Sequence, residues 1–147
     1  MTVGDLCTRM VVTADPEESI FDAATRMRDL HVGDLVVVDE DQRPIGILTD
    51  RDIVVGALAD GIDPLDVPRV GEVMTRDLVT AMPDESLSDV LGRMRVHGIR
   101  RLPVVSASGR LEGLIALDDI LEQMSADLRE LAGLVAREQK RERAVRA

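Results

Sequence analysis

The stretch GILTDRDI, residues 46–53, returns 67 residues later as GLIALDDI, residues 113–120. The two copies keep the glycine, the apolar residues and the closing Asp-Ile pair, and they differ mainly at polar positions. Around this stretch, residues 5–54 align with 72–121 without a gap and share 19 identities in 50 pairs. Self-similarity at a fixed offset is typical of a duplicated structural unit.

Both copies contain the same order of local signals. A short extended piece ends at a proline, a serine is placed to cap a helix, two β-rich runs flank a polar turn, and a second helix follows. The predicted caps are Ser19 and Ser86, the predicted strands are 35–38, 45–48, 102–105 and 111–115, and the second helices start near Asp50 and Leu117.

A β-α-β-β-α unit of this size cannot bury both faces of its elements alone. We therefore expect an α+β fold in which two repeats pack sheet to sheet about a pseudo-twofold axis, with an extended C-terminal helix. The predicted division is repeat one at 3–60, a turn-rich linker at 61–69, repeat two at 70–124, and the C-terminal helix with its charged tail at 125–147.

The C-terminal helix carries a narrow apolar stripe at three- and four-residue spacing. The stripe consists of Leu121, Met124, Leu128, Leu131 and Val135. Two interpretations are open: the stripe lies on its own domain, or it forms a dimer contact.

Composition excludes several classes of function. The net charge is −10 and Phe21 is the one aromatic residue, which disfavours binding to nucleic acid. Cys7 is the single cysteine and no apolar run is long enough to span a bilayer, so we expect a soluble cytoplasmic protein with no membrane association. Neither a catalytic constellation nor metal-ligand spacing is present in the sequence, so we predict no enzyme and no metal site.

The second of the two β-rich runs ends in a glycine, two apolar residues and the pattern Thr-x-x-Asp. A β-α-β-β-α unit with this ending, present in two copies, resembles the CBS domain. Two in tandem resemble a CBS pair, or Bateman module, and the resemblance covers roughly residues 3–124. It is typical of small stand-alone bacterial CBS proteins. It implies a regulatory homodimer that senses energy or metabolite state by binding AMP, ADP, ATP or S-adenosylmethionine between the repeats, with a regulated protein partner.

The resemblance places a first ligand site at GILTDRDI. Gly46 suits close approach of a ligand or of neighbouring backbone. Thr49 and Asp52 straddle a strand-to-helix junction, where the hydroxyl can meet a phosphate and the carboxylate a ribose diol, with Arg51 adding charge. The alternative is that Thr49 and Asp52 only cap the following helix, which the same spacing allows.

The resemblance also implies that basic residues of one repeat face the site built on the other. Arg100 and Arg101 are therefore predicted to meet a phosphate held at Thr49. Thr13, together with backbone around Leu35, is predicted to form the adenine wall of this first site.

The second cleft is predicted to be unequal to the first. Ala116 lacks the hydroxyl of Thr49, Asp118 replaces Arg51, and Asp34 is expected to face this cleft and repel a phosphate there. The residues predicted for this weaker site are Thr80, Ile99, Leu102, Pro103 and Asp119.

Three further points remain as alternatives or departures. Val36 stands where repeat two has Pro103, which is expected to loosen the first strand of repeat one. His97 is either a surface residue or a phosphate contact. The alternative function is a structural dimerisation or stress-related scaffold with vestigial clefts.

Overall fold

The computed structural model describes residues 1–146 and contains the predicted order of elements in repeat one and, apart from the first short strand, in repeat two. Repeat one consists of α1 (Val3–Leu6), β1 (Thr13–Ala14), α2 (Ile20–Leu30), β2 (Asp34–Val38), β3 (Pro44–Thr49), α3 (Asp50–Gly56) and a 3₁₀ turn (Leu58–Asp60). Repeat two consists of α4 (Val70–Val73), α5 (Leu87–His97), β4 (Arg101–Val105), β5 (Leu111–Ala116) and α6 (Leu117–Arg146). The predicted strands and second-helix starts agree to within one residue, whereas the one-turn helices α1 and α4 were not predicted.

The first long helix of each repeat begins at the predicted serine. Ser19 Oγ accepts a hydrogen bond from the N–H of Asp22 (3.1 Å), and Ser86 Oγ accepts one from the N–H of Asp89 (3.2 Å). Each bond satisfies one of the N–H groups that a helix start leaves without an intrahelical partner.

The same two helices end at equivalent positions in a left-handed conformation. The C-cap of α2 is His31 (φ 54°), and the C-cap of α5, 67 residues later, is Gly98 (φ 63°). Glycine adopts this conformation without a Cβ penalty, whereas histidine does not. Repeat one therefore holds the same turn with a less suitable residue.

The two sheets differ in strand number because of one proline. In repeat one, β1 pairs in parallel with β2 and β2 pairs antiparallel with β3; the Val36 N–H donates to the Val12 carbonyl (3.1 Å). Pro103 takes the place of Val36 in repeat two and has no N–H. There the counterpart of β1 is reduced to one parallel bridge, Ala81 with Val104, beside the pair β4–β5. The expectation that Val36 loosens the first strand is therefore wrong: valine supplies a donor that proline lacks.

The repeats exchange their first segments. Thr75, at the start of repeat two, pairs with Ile47 in β3 of repeat one through two hydrogen bonds (2.9 and 3.0 Å). Thr8, at the start of repeat one, pairs in the same way with Leu114 in β5 of repeat two (2.9 and 3.0 Å). Each sheet is thus completed by a segment of the other repeat, which couples the folding of the two copies.

The one-turn helices strengthen this exchange. The Gly4 N–H in α1 donates to the Pro83 carbonyl of repeat two (2.8 Å), and the Gly71 N–H in α4 donates to the Pro16 carbonyl of repeat one (2.8 Å). These four positions are equivalent under the 67-residue offset. The contact therefore follows the internal symmetry of the chain.

The core is aliphatic, as the scarcity of aromatic residues requires. No polar or charged residue is buried among those that the structure describes. One cluster joins residues of repeat one to two residues of repeat two: Ala14, Ala23, Met27, Leu35, Val37, Leu48 and Ile53 with Val70 and Met74. Full burial of such a side chain contributes about 1.5–3 kcal/mol, so α4 helps to stabilise the neighbouring repeat.

The chain divides into two compact units, Met1–Ile115 and a second unit that begins at Ala116 and consists mainly of α6. The predicted apolar stripe on α6 is 50–64% exposed at Leu121, Met124, Leu128, Leu131 and Val135. The dimer contact remains a prediction. None of the described helices combines the length and apolarity needed to cross a bilayer.

Candidate ligand-binding site

A cavity of about 250 Å³ lies between the repeats, within the unit Met1–Ile115. Repeat one lines it from β2 and β3, and repeat two lines it from its first extended segment and the start of β4. The lining residues are Asp34, Ile47, Thr49, Thr75, Asp77, Leu78, Val79, Ile99, Arg100 and Arg101. The segment exchange explains this arrangement: because Thr75 pairs with Ile47, the residues that follow Thr75 run beside Thr49.

Thr49 is the N-cap of α3 and forms a reciprocal capping box with Asp52. Thr49 Oγ1 accepts from the Asp52 N–H (3.0 Å), and Asp52 Oδ2 accepts from the Thr49 N–H (3.0 Å). Thr49 and Asp52 therefore do cap the following helix, which is the alternative to a ligand site that their spacing allowed. The capping box uses one lone pair of the hydroxyl and one carboxylate oxygen, which leaves the hydroxyl hydrogen and Asp52 Oδ1 as further polar groups.

One wall of the cavity is apolar, with Ile47, Leu78, Val79 and Ile99. Val79 is the counterpart of Val12, whose carbonyl is bonded by Val36. Pro103 has no N–H, so the Val79 carbonyl cannot receive the equivalent bond. Val79, a lining residue, thus has a backbone carbonyl that the strand pairing does not use.

Charged side chains also line the cavity. The Arg101 Nε lies 3.6 Å from Asp34 Oδ2, and both residues line the cavity with Arg100 and Asp77. The Asp34 side chain is 11% exposed. Burial raises the pKa of Asp34 above its usual value, nearby Arg101 counteracts this, and the negative charge of Asp50 adds to it.

Among residues 1–146, no group of three or more His, Cys, Asp and Glu side chains is arranged to hold a metal ion.

A family model for the CBS domain matches residues 3–57 and again residues 70–126. The chain belongs to the CBS domain family. Its CBS pair is 41% identical to the CBS domain-containing protein YhcV of Bacillus subtilis over 125 residues, which are 84% of this chain and 86% of that protein. It is 34% identical to the uncharacterised protein MK0525 of Methanopyrus kandleri over 122 residues, which are 83% of this chain but 62% of that longer protein.

Solved structures give the same result. The CBS domain pair of protein MJ0100, in complex with 5′-methylthioadenosine and S-adenosyl-L-methionine, matches with a TM-score of 0.75 and 30% identity and covers 86% of this chain and 98% of that one. The hypoxic response protein I structure with two coordinated zinc ions matches with a TM-score of 0.74 and 33% identity, over 84% of this chain and 98% of that one. The predicted CBS-pair fold class is confirmed.

Within this CBS pair, three of the residues predicted for the first site line the cavity: Thr49, Arg100 and Arg101. Among the described residues, Gly46, Arg51 and Asp52 are not part of the lining; Asp52 adjoins it through its capping box with Thr49. A Cβ at Gly46 would approach Met74 Sδ to 2.5 Å and the Thr75 carbonyl oxygen to 3.0 Å, so this glycine makes room for the exchanged segment. Arg51 is exposed in the first turn of α3.

Two residues predicted for the adenine walls lie elsewhere than predicted. Ile99, assigned to the second site, lines the cavity that contains Thr49. Thr13, assigned to the first site, lines a separate groove of about 770 Å³ that is rich in acidic side chains, and its carbonyl accepts from Arg26 (2.8 Å). The physical reason is the segment exchange, which takes the first strand of repeat two, rather than that of repeat one, to Thr49.

Asp34 requires a similar correction. It was expected to face the second cleft, yet it lines the cavity of Thr49 and contacts Arg101. The two residues are separated by 67 positions and are therefore equivalent in the two CBS repeats. Equivalent positions close to an axis of internal symmetry face each other, so one cavity contains both.

The other residues predicted for the second site have individual structural roles. The Thr80 carbonyl accepts from Arg93 (2.8 Å), and Leu102 and Pro103 are buried in the core. Asp119 lies in the first turn of α6, in the second unit. The second cleft remains a prediction.

The environment of His97 matches the surface alternative. The residue is exposed, and its Nδ1 lies 2.9 Å from the Arg93 carbonyl oxygen. Ile99, Arg100 and Arg101, which follow it in the sequence, line the cavity, whereas His97 does not.

Five lining residues were not predicted from the sequence: Ile47, Thr75, Asp77, Leu78 and Val79. The identity of Thr8 with Thr75 was a usable signal, because an identical polar residue before both first strands indicates a shared structural role. The exchange itself has no signature in the repeat pattern, since a repeat that completes its own sheet gives the same pattern.

Proposed function

We propose that this CBS pair is a regulatory module that binds an adenosyl compound, AMP, ADP, ATP or S-adenosylmethionine, in the cavity beside Thr49. The observation that carries the proposal is the composition of that cavity: apolar side chains from both repeats, Thr49, and the two arginines Arg100 and Arg101. The complex of the MJ0100 domain pair with two adenosyl ligands supports this assignment.

The adenine ring fits the apolar wall in this proposal. Ile47 and Ile99 offer aliphatic surface for the ring faces. The Val79 carbonyl, which Pro103 cannot bond, accepts from the exocyclic amino group of adenine. A buried polar acceptor of this kind favours adenine over a ring with a carbonyl at the same place, because an acceptor facing an acceptor is left unsatisfied.

The ribose and phosphate occupy the polar end. Asp52 Oδ1 accepts from the ribose diol, while Oδ2 continues to cap α3 through Thr49. Arg100 and Arg101 meet the first phosphate as charge-assisted donors. Pockets for drug-sized ligands enclose roughly 300–1,000 Å³, so a cavity of about 250 Å³ suits a nucleoside or its monophosphate better than an enclosed triphosphate.

The regulatory output follows from the position of the cavity. Both repeats contribute to it, so a bound ligand favours the paired arrangement of the repeats by its differential affinity. We propose that a cytoplasmic homodimer, formed through the exposed stripe of α6, transmits this change to a regulated protein partner. In this role the chain is a sensor rather than an enzyme.

The test is a ligand panel measured on the purified protein and on two matched variants. Asp52→Asn keeps the cap geometry but removes the charge offered to the ribose, and Asp119→Asn makes the same change at the equivalent position of repeat two. Thermal shift and calorimetry with AMP, ADP, ATP, S-adenosylmethionine and adenosine are expected to give binding that Asp52→Asn weakens tenfold or more. A hundredfold excess of ligand over Kd stabilises the fold by about 2.7 kcal/mol. Loss of binding in Asp119→Asn alone contradicts the site assignment.

A structural scaffold is the second candidate, favoured by the exposed stripe on α6. Here the stripe pairs with a second copy and the clefts bind nothing. Sedimentation of the wild type and of Leu128→Ser/Leu131→Ser distinguishes the candidates when combined with the ligand panel. Dimer loss in the variant with no ligand response in the wild type favours the scaffold.

A further inference from the structure

Asp34 is an unusual group for a cavity proposed to bind phosphate. Its Oδ2 is buried and has no hydrogen-bond partner among the described residues; the nearest cationic atom is the Arg101 Nε at 3.6 Å. That separation is too long for a strong hydrogen bond. The carboxylate is thus held mainly by the charge of one arginine, and this arginine also lines the cavity.

The charged groups around Asp34 come from three directions. Arg101 approaches from β4, Asp50 from the start of α3, and Arg100 and Asp77 line the same cavity. Asp50 and Asp77 add negative charge, so Arg101 is important for keeping Asp34 ionised. A ligand that draws Arg101 away therefore changes the state of Asp34.

Building on the proposed function, we propose that Asp34 determines which adenosyl ligands the cavity accepts, by competing with a ligand phosphate for Arg101. An uncharged adenosyl ligand leaves the Asp34–Arg101 pair intact. A phosphorylated ligand binds Arg101 and leaves a buried carboxylate beside a second anion, which is unfavourable unless the carboxylate takes up a proton. A cationic adenosyl ligand, such as S-adenosylmethionine with its sulfonium, gains attraction from the same carboxylate.

The role proposed for Asp34 has two consequences for the pH dependence of ligand binding. Burial already raises the pKa of Asp34, and an anion at Arg101 raises it further. Binding of a phosphorylated ligand is therefore coupled to proton uptake, and its affinity increases as the pH falls through the titration of Asp34. Affinity for an uncharged ligand lacks this dependence.

The experiment compares adenosine, AMP and S-adenosylmethionine, which share the nucleoside and differ in charge. Asp34→Asn is the neutral variant of nearly the same shape. At pH 7 we expect it to tighten AMP on the order of tenfold, to change adenosine less than about twofold, and to weaken S-adenosylmethionine. In wild type, AMP affinity should rise more steeply as the pH is lowered than in Asp34→Asn; the titration of AMP itself is common to both proteins and cancels in the comparison.

Arg101→Gln is the second variant, because it removes the group for which the two anions compete. In the Arg101→Gln protein, adding Asp34→Asn should no longer change the ratio of AMP affinity to adenosine affinity. Circular dichroism confirms that each variant is folded, and Asp34→Ser replaces Asp34→Asn if the latter does not fold.

The outcomes separate the two proposals. Equal changes in AMP and adenosine affinity, or an unchanged AMP-to-adenosine ratio, overturn the role of Asp34 while the ligand site stands. Absence of binding by all three ligands, in wild type and variants, rejects the proposed function and the role of Asp34 with it.

Discussion

The two CBS repeats keep the same internal brace but differ at the residues that follow their last strands. Arg26 binds Glu18 in repeat one (2.7 Å), and Arg93 binds Glu85 in repeat two at the equivalent atoms. Both arginines also donate to the carbonyl of the first strand of their own repeat (2.8 Å). The brace links that strand to the first long helix, so duplication preserved what each repeat needs to fold.

The polar residues at the cleft diverged. Thr49 and Asp52 form a reciprocal capping box in repeat one. The equivalent pair in repeat two is Ala116 and Asp119, and alanine has no hydroxyl to accept the helix N–H. One substitution thus removes a helix cap and a potential ligand contact together, which links the stability of each repeat to its binding properties.

The positions near the symmetry axis give the clearest difference. Asp34 and Arg101 are equivalent residues of opposite charge that contact each other. A strictly symmetric chain would put two like charges there, which repel at this distance. Divergence of the repeats therefore converts a repulsive self-contact into an attractive one and makes the cavity asymmetric.

The largest expected effect concerns the glycines that admit the exchanged segments. A Cβ at Gly46 would meet Met74 and the Thr75 backbone, and a Cβ at Gly113 would come within 2.9 Å of both Cys7 Sγ and the Thr8 carbonyl oxygen. Gly46→Ala and Gly113→Ala should each lower the free energy of unfolding by about 2 kcal/mol, because overpacking forces the backbone apart. Urea denaturation measures this.

The control for the glycine prediction lies in α5. A Cβ at Gly92 meets nothing within 4 Å, so Gly92→Ala should leave stability unchanged or raise it by up to about 1 kcal/mol through helix propensity. If Gly46→Ala unfolds at the same urea concentration as Gly92→Ala, the exchanged segment is not tightly packed against β3.

The second prediction tests the brace in repeat two. Two hydrogen bonds from Arg93 and one from the Met82 N–H lower the pKa of Glu85, with burial partly opposing them. Glu85→Gln should cost about 1 kcal/mol at pH 7, since the pair is partly solvent-screened. Because the folded pKa is lowered, this stability is present above the usual value of 4.5 and is lost as the pH falls through the lowered pKa.

Urea midpoints of wild type and Glu85→Gln, measured from pH 7 down to pH 3, check the sign. The difference between the two proteins should narrow toward acid. Asp84→Asn is the matched control, because Asp84 is the exposed neighbouring acid and its replacement should have a small effect on stability. A gap that widens toward pH 3 contradicts the assignment.

The third prediction makes repeat one resemble repeat two. Thr49→Ala removes the hydroxyl that accepts from the Asp52 N–H and should cost about 1 kcal/mol of stability. Thr49→Ser retains the hydroxyl and should cost much less. Equal losses in the two variants would mean that the methyl group of Thr49, rather than its hydroxyl, is what matters.

Much of the fold was predictable because it depends on local signals. Strand runs, the caps at Ser19 and Ser86, and the starts of α3 and α6 follow from residue type and spacing, and the repeat offset made each signal count twice. The one-turn helices were missed because a four-residue helix has no apolar period to detect. The pairing at Val36 was misjudged because its effect depends on the N–H that Pro103 lacks.

The site was predictable only in part. Thr49, Arg100 and Arg101 line one cavity, as the resemblance implied by assigning them to opposite repeats, and their contact with a ligand stays a prediction. Ile99 lies in the cavity of Thr49 and Thr13 lies outside it, because the path of the first segment is a tertiary choice between two sheets of equal pattern. Asp34 was misplaced because no local signal indicates which residues adjoin an internal axis.

The smallest expected effect concerns the two left-handed helix ends. His31→Gly removes a Cβ from a residue with φ of 54° and should stabilise the fold by about 0.5–1 kcal/mol. Gly98→Ala adds a Cβ at φ of 63°, where nothing lies within 4 Å, so its cost of about 1 kcal/mol reflects the backbone conformation alone. Urea midpoints should therefore move in opposite directions for these two equivalent positions. A shift of the same sign in both would mean that the His31 side chain, although exposed, contributes more to the end of α2 than its backbone conformation costs.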